Sequence, residues 1–266
     1  MLLLNFLRKK LSTKTKRKIR RLISNIRTLG YGNNLNKLAL IYGSDKWGSH
    51  FYTQHYSTHF RPFKTKKINL LEIGVGGYSS KSKGGESLYM WKRYFSKAKI
   101  FSVDIFDKSF LQEKRIRIFK GSQVDKDFIE NVVFKEMLEV DLIIDDGSHI
   151  NEHVIETFKI LFPKLKSGGI YVIEDTQTSY WPRFGGDSID LNNPNTIINY
   201  FKTLVDCINW VDIIRDDYHP TYLEKHITSI HFYHNIIFIY KGDNNEHATI
   251  TSDRVRIGSI MEAIKQ

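Results

Sequence analysis

Six residues with a buried-strand pattern, Ile68-Asn69-Leu70-Leu71-Glu72-Ile73, run directly into Gly74-Val75-Gly76-Gly77. A strand that ends on such a turn leaves few folds open. Glycine permits positive φ and lets backbone N–H groups approach a ligand, so the turn predicts a binding site at the carboxyl end of a first strand. The segments that follow repeat the unit. A helix is expected around Ser87–Phe95, then a strand Lys99–Val103 ending on Asp104. Arg115–Phe119 reads as a third strand and Asp125–Phe134 as a helix. Val140–Ile144 ends on Asp145-Asp146-Gly147-Ser148-His149, a helix runs through Leu161, and Gly169–Ile173 ends on Glu174-Asp175. Alternating strands and helices predict a mostly parallel sheet wound on both faces, with ligands beyond the strand carboxyl ends. Two apolar, β-branched runs, Ile227–His234 and Asn235–Lys241, meet at His234-Asn235 and predict a closing antiparallel hairpin.

The expected organisation is a basic helical arm over residues 1–29, a helical lid or cap over 30–66, and a catalytic domain over 67–266. The arm is amphipathic, with Leu22, Ile23, Ile26 and Leu29 near helical spacing. Between Arg8 and Arg27 lie ten Lys or Arg and no acid, and removing those from the formal +11 leaves the body close to neutral. The basic character belongs to the arm. It predicts peripheral contact with an anionic membrane surface or a polyanion, against the plainer reading of a packed helix. No run approaches the roughly 18 apolar residues of a membrane span, and Met1–Leu7 is too short for a signal core. With the single Cys207 excluding a disulfide framework or a cysteine-built metal site, a cytoplasmic location is expected.

Several strand-end residues carry chemistry. Glu72, two residues before Gly74, fits the E/D-x-G-x-G pattern of S-adenosylmethionine sites, and the dinucleotide pattern G-x-G-x-x-G fails at Ser79. Glu72, Gly74, Gly76, Asp104 at the second strand end (for the ribose hydroxyls) and Gln123 (near the adenine) are the expected cofactor contacts. Asp145-Asp146 and the neighbouring strand end Glu174-Asp175 bring carboxylates to one rim, suited to Mg²⁺ or another hard divalent ion. His149 is a candidate general base. The same run also reads as a turn and helix cap, and His149 with His153 as an i, i+4 pair. Trp47, Tyr52, Tyr180, Trp181 and Arg183 form an expected substrate rim, with Lys46 and Arg183 as cations for a diphosphate.

These motifs together resemble a known family, the Mg²⁺-dependent sugar O-methyltransferases of macrolide biosynthesis (mycinamicin and macrocin type). The resemblance rests on Tyr42-Gly43-Ser44-Asp45-Lys46-Trp47, Leu71–Tyr78, Gly85–Trp91, Ser102-Val103-Asp104, Ile144–His149, Glu174-Asp175-Thr176, Thr178–Pro182 and Ser229–Tyr233. It implies a Rossmann-like class I methyltransferase fold, Asp146 and Asp175 as metal ligands, and His149 as base with Asp146 in the catalytic set. It implies S-adenosylmethionine and Mg²⁺ as cofactors and a sugar hydroxyl as acceptor. The expected acceptor is a small sugar on a nucleotide-linked or glycan precursor for surface polysaccharide, and a homo-oligomer is expected. The alternatives are methylation of RNA or another small metabolite, or a cofactor-binding scaffold without turnover. The chain lacks the Asn/Asp-Pro-Pro-Tyr motif of many nucleic-acid methyltransferases.

Overall fold

The computed structural model describes residues 12–213, 215 and 217–247. The strands are β1 (Asn69–Ile73), β2 (Lys99–Asp104), β3 (Ile116–Lys120), β4 (Val140–Asp145), β5 (Leu165–Glu174), β6 (Ile227–Tyr233) and β7 (Ile236–Lys241). They form one sheet in the order β3-β2-β1-β4-β5-β7-β6. β1 to β5 pair in parallel, and β7 lies antiparallel between β5 and β6. The strand order reverses between β1 and β4, so the crevice for a ligand opens at their carboxyl ends. This is the class I methyltransferase architecture expected from the alternating pattern and the closing hairpin. Asn235, left-handed at φ 62°, makes the hairpin turn where the two apolar runs meet.

Side chains alternate across each strand, and both faces are covered. Leu71 and Ile73 of β1 join Phe101, Ile143 and Tyr171 in one core, beneath the helix Asn151–Leu161. Leu70 joins Ile100, Leu142 and Val172 in the other. That second core also contains Leu88 and Trp91 from the helix Glu86–Tyr94, and Leu38, Tyr56 and Phe60 from the helices Leu35–Tyr42 and Thr53–Phe60. Residues of the expected cap region therefore share the sheet's core. A further helix, Thr13–Arg27, covers part of the expected arm, while Met1–Leu7 lies outside the described residues.

Two boundaries differ from the sequence pattern. β5 begins at Leu165, not Gly169, because Leu165 pairs with Val140 across an irregularity before the ladder resumes at Leu142. The helix expected over Asp125–Phe134 is instead Lys126–Phe128, a π turn Ile129–Val133 and Phe134–Met137. Ile129, Val133, Phe134 and Met137 are all buried, so the segment turns its apolar side chains toward the core through the wider turn.

Phe158 shows how the core supports the site end of β5. It is fully buried, with ring centroids 4.9 Å from Phe162, 5.2 Å from Tyr171 and 4.9 Å from Phe201. Phe158→Ala is expected to destabilise the fold by about 3–5 kcal/mol, read as a lower urea midpoint at unchanged slope.

Candidate active site

The glycine turn leaves β1 through three left-handed residues, Gly74 (φ 91°), Gly76 (φ 73°) and Gly77 (φ 73°). At Gly74 an added Cβ would lie 2.1 Å from the carbonyl oxygen of Asp146, so glycine there lets the loops after β1 and β4 touch. At Gly76 the same position meets open space, which suits a surface that a ligand approaches. Asp104, at the end of β2, braces the turn: its carboxylate accepts from Val75 N–H (2.9 Å) and Phe106 N–H (2.8 Å). Burial raises its pKa against those bonds. Each oxygen keeps a further lone pair, so the placement remains compatible with a hydroxyl donor from a ligand.

Gln123 and Glu72 are more occupied than the spacing suggested. Gln123 is buried; its Oε1 accepts from Ser148 N–H (2.9 Å), and its Nε2 donates to Thr157 (2.8 Å) and Asp145 (3.3 Å). Its amide ties the loop after β3 to the loop after β4. Glu72 is wholly buried, accepting from Ser87 Oγ at 3.1 Å with its other oxygen 3.4 Å from Lys46 Nζ. Neither side chain lies open at the glycine turn.

Beyond β4 and β5 the structure brings together Asp146, His149 and Asp175. One ligand atom from each lies within 4.8 Å of the others. His149 Nε2 is 3.9 Å from Asp146 Oδ1 and 3.7 Å from Asp175 Oδ2. His149 Nδ1 is buried with no hydrogen-bond partner among the described residues, so Nε2 is the nitrogen facing the acids. His153 sits apart from them, its Nδ1 3.2 Å from Ser148 Oγ. Both His149 and Asp175 are left-handed at φ 57°, uncommon for non-glycine residues and typical of functional turns. The carboxylate oxygens of Asp146 and Asp175 suit a hard divalent ion, so these donors fit Mg²⁺ with open positions.

The loop between the helices Leu35–Tyr42 and Thr53–Phe60 completes the cluster. Lys46 is fully buried, donating at 2.7 Å to both oxygens of Glu174 and at 2.7 Å to Asp146 Oδ2. This corrects the expectation that Lys46 neutralises an acceptor diphosphate, because its ammonium is already spent inside the protein. Burial alone would lower the Lys46 pKa, but Asp146, Glu174 and Glu72 outweigh it and hold the pKa well above its usual value. Burial, with Asp146 close by, pushes Glu174 well above the carboxylate range, and Tyr56 also donates to it. Burial lifts Glu72 to about 7 against the pull of Lys46. Tyr52 donates to Asp175 at 2.7 Å, and His50 Nδ1 lies 3.7 Å from the same oxygen. Burial would raise the Asp175 pKa, but His149, Tyr52 and His50 together bring it below the usual value.

Of the expected rim, Trp47 is half-buried edge-on to Phe51, with centroids 5.3 Å apart. Tyr180, Trp181 and Arg183 are exposed on the segment after β5. The spacing gave no sign of the residue that holds that segment. Asn151, buried, donates to the carbonyls of Thr178 (3.0 Å) and Phe184 (2.9 Å) and accepts from Ile197 N–H (2.7 Å). In the sequence Glu174 reads only as one of the strand-end carboxylates, and Tyr56 and His50 are not singled out there for roles at the site.

Fold and site together define a class I methyltransferase scaffold with a metal-competent acidic rim. Residues 79–210 match the family model described as rhamnosyl O-methyltransferase/CmcI. The chain is 43% identical over 215 residues to demethylmacrocin O-methyltransferase of Streptomyces fradiae, an alignment covering 80% of this chain and 54% of that protein. It is 41% identical over 215 residues to mycinamicin VI 2''-O-methyltransferase of Micromonospora griseorubida, with the same coverages of 80% and 54%. A solved structure of the MycE methyltransferase from mycinamycin biosynthesis, in complex with Mg, SAH and mycinamycin VI, superposes with a TM-score of 0.81. Identity there is 39%, covering 87% of this chain and 59% of that one. Sequence and structure thus show the kinship with macrolide sugar O-methyltransferases that the motifs indicated. The chain spans about half the length of the curated relatives it matches.

Replacing Lys46 tests the cluster. Lys46→Met is expected to cost about 3–5 kcal/mol, because it leaves carboxylates buried without their cation. The sign with pH follows from Glu174: its raised pKa climbs further without Lys46, so protonation relieves the loss at low pH. The deficit, measured by urea unfolding, should therefore grow as pH rises from about 5 to about 8.

Proposed function

We propose that this chain is an S-adenosylmethionine-dependent, divalent-metal-assisted O-methyltransferase that acts on a sugar hydroxyl of a small-molecule acceptor. The observation carrying this reading is the convergence of Asp146, His149 and Asp175 beyond β4 and β5, beside the glycine turn of β1. The kinship with sugar O-methyltransferases supports the same reaction class.

Asp146 and Asp175 would hold the metal, leaving His149 Nε2 free beside them, and Gly74–Gly77 with Asp104 would hold the methyl donor. When bound, the donor supplies an activated methyl group and the cation makes a nearby hydroxyl more acidic. His149 Nε2 accepts the hydroxyl proton, and Asp175, anionic well below neutral pH, stabilises the imidazolium that results. Tyr52 and His50 hold Asp175, and Lys46 holds Asp146, so both acids are oriented before the acceptor arrives. Trp47, Tyr180 and Trp181 offer aromatic faces to the C–H surfaces of a sugar.

The finer assignment, a nucleotide-linked or glycan precursor for surface polysaccharide, now rests on Arg183 as its one rim cation, since Lys46 is withdrawn. The relatives are named for macrolide and tetracenomycin glycosides, which makes a glycosylated small molecule the stronger acceptor class. The deciding measurement is turnover of labelled S-adenosylmethionine with Mg²⁺ on a panel of nucleotide-activated hexoses, free sugars, a macrolide glycoside and bulk RNA. Methylation confined to RNA would overturn the reaction class. Activity on nucleotide sugars alone would restore the diphosphate reading.

Chelation should abolish turnover and added Mg²⁺ should restore it. His149→Ala should lower kcat by about 10²–10⁴, the contribution of a positioned acid–base group, with donor binding by calorimetry nearly unchanged. His153→Ala should have a much smaller effect, and a reversal of the two would reassign the base.

A further inference from the structure

The helix Thr13–Arg27 docks on the body in the opposite sense to an ordinary amphipathic helix. Its polar side faces inward. Arg17 donates to the carbonyl of Phe110 at 3.0 Å and lies 4.6 Å over that ring. Arg21 pairs with Glu113 and lies 4.2 Å over the ring of Tyr89. Ser24 donates to the carbonyl of Ile41, and Tyr42 donates to Asn25.

At 100° per residue, Ile19, Leu22, Ile23 and Ile26 point away from those contacts. They are 41%, 61%, 47% and 57% exposed. The hydrophobic effect would normally bury such a stripe. Its borders are basic on both sides: by the same geometry Lys18 flanks one edge, Arg20 and Arg27 the other, and all three are exposed. No acid precedes Asp45 in the chain.

From this arrangement we infer that the outer face of the helix Thr13–Arg27 is a docking surface for an anionic phospholipid bilayer. The apolar stripe enters the interface between headgroups and acyl chains, and the flanking Lys and Arg reach lipid phosphates with their stems along the apolar boundary. The occupant is chosen by charge. A second copy seated face to face would bring two acid-free faces together, each bordered by the exposed Lys18, Arg20 and Arg27, whereas a negative surface complements the same pattern. The body is near neutral, so this helix sets the orientation: it lies on the membrane and holds the body through Arg17 and Arg21. The inference stands apart from the methyltransferase reading.

The test is sedimentation of the full chain with vesicles of phosphatidylcholine containing phosphatidylglycerol, against pure phosphatidylcholine. Binding to the anionic vesicles should be at least about tenfold stronger and should weaken as salt rises. Leu22→Ser with Ile26→Ser, at exposed positions, should lower it about tenfold or more. Lys18→Gln with Arg27→Gln should lower it by a similar factor while leaving the stripe intact. A fluorophore on Leu22→Cys, distinguishable because Cys207 is buried, should shift to the blue on anionic vesicles only. Equal pelleting with neutral and anionic vesicles would overturn the proposal, as would binding indifferent to both pairs of substitutions. So would absent vesicle binding with an oligomer, measured by light scattering, that the serine pair dissociates.

Discussion

The ammonium of Lys46 lies fully buried among carboxylates that arrive on three adjacent strands. Glu72 ends the inward-facing series Leu70-Glu72 of β1. Glu174 ends Ile170-Val172-Glu174 of β5, and Asp146 follows Leu142-Ile144 of β4 between them. Because side chains alternate along strands and these registers are parallel, the three acids emerge on the same face of the sheet. Like charges packed this closely in a low-dielectric interior would repel, and the single cation from the loop before Thr53 relieves that repulsion. The consequence reaches the chemistry. With Oδ2 of Asp146 held by Lys46, Oδ1 is the oxygen left toward His149. The helices ahead of β1 thus act as more than a cover, since they supply the counter-charge that sets the geometry of the rim.

Much of the sheet was legible because its strands are buried on both faces, and such strands read as continuous apolar runs bounded by glycine or acid. The carboxyl ends were legible for the same reason: Asp104, Asp146 and Asp175 interrupt or follow apolar runs where ligand chemistry concentrates in parallel sheets. The structure does bring Asp146, His149 and Asp175 together as the strand ends implied. The cluster beneath them was harder to read. Lysine in a glycine- and serine-bearing loop looks like a solvated charge, since isolated Lys is almost never fully buried. Its partners lie 26, 100 and 128 positions away in sequence, as Glu72, Asp146 and Glu174. The available signal was parity. Glu72, Asp146 and Glu174 share a face by residue count alone, and three acids on one buried face demand a cation. Gln123 and the π turn at Ile129–Val133 had no such signal, because each depends on how two loops or two turns fit in space.

Backbone strain divides the labour at the end of β5. Glu174 turns inward to Lys46 and Tyr56, while Asp175, the next residue, turns to Tyr52 and the His149 side. In an extended strand consecutive side chains also oppose each other, but the chain would continue past the rim. The left-handed conformation of Asp175 ends the strand there and starts the short helical turn Thr176–Tyr180. Asn151 then fixes that turn by binding the carbonyls of Thr178 and Phe184, with its oxygen bound to the start of the helix Ile197–Thr203. The exposed aromatics Tyr180 and Trp181 are thereby carried on a segment anchored on both sides, and their backbone is held even though their rings face solvent.

This separation bears on what selects the acceptor. Asp146 and Asp175 are held by hydrogen bonds from Lys46 and Tyr52, so under the proposed reaction a change of acceptor need not disturb them. The aromatic side chains Tyr180 and Trp181 after β5 are exposed, and among the described residues Trp181 meets one aromatic ring, Phe184, at 5.9 Å. Substitution at Tyr180, Trp181 or Arg183 removes little packing from the fold, whereas substitution at Asn151 removes three hydrogen bonds from a buried amide. A scaffold arranged this way can exchange its rim while keeping Asp146, Asp175 and the neighbouring His149 in register. The relatives' names fit that division: all are O-methyltransferases, and they differ in the compound that is methylated.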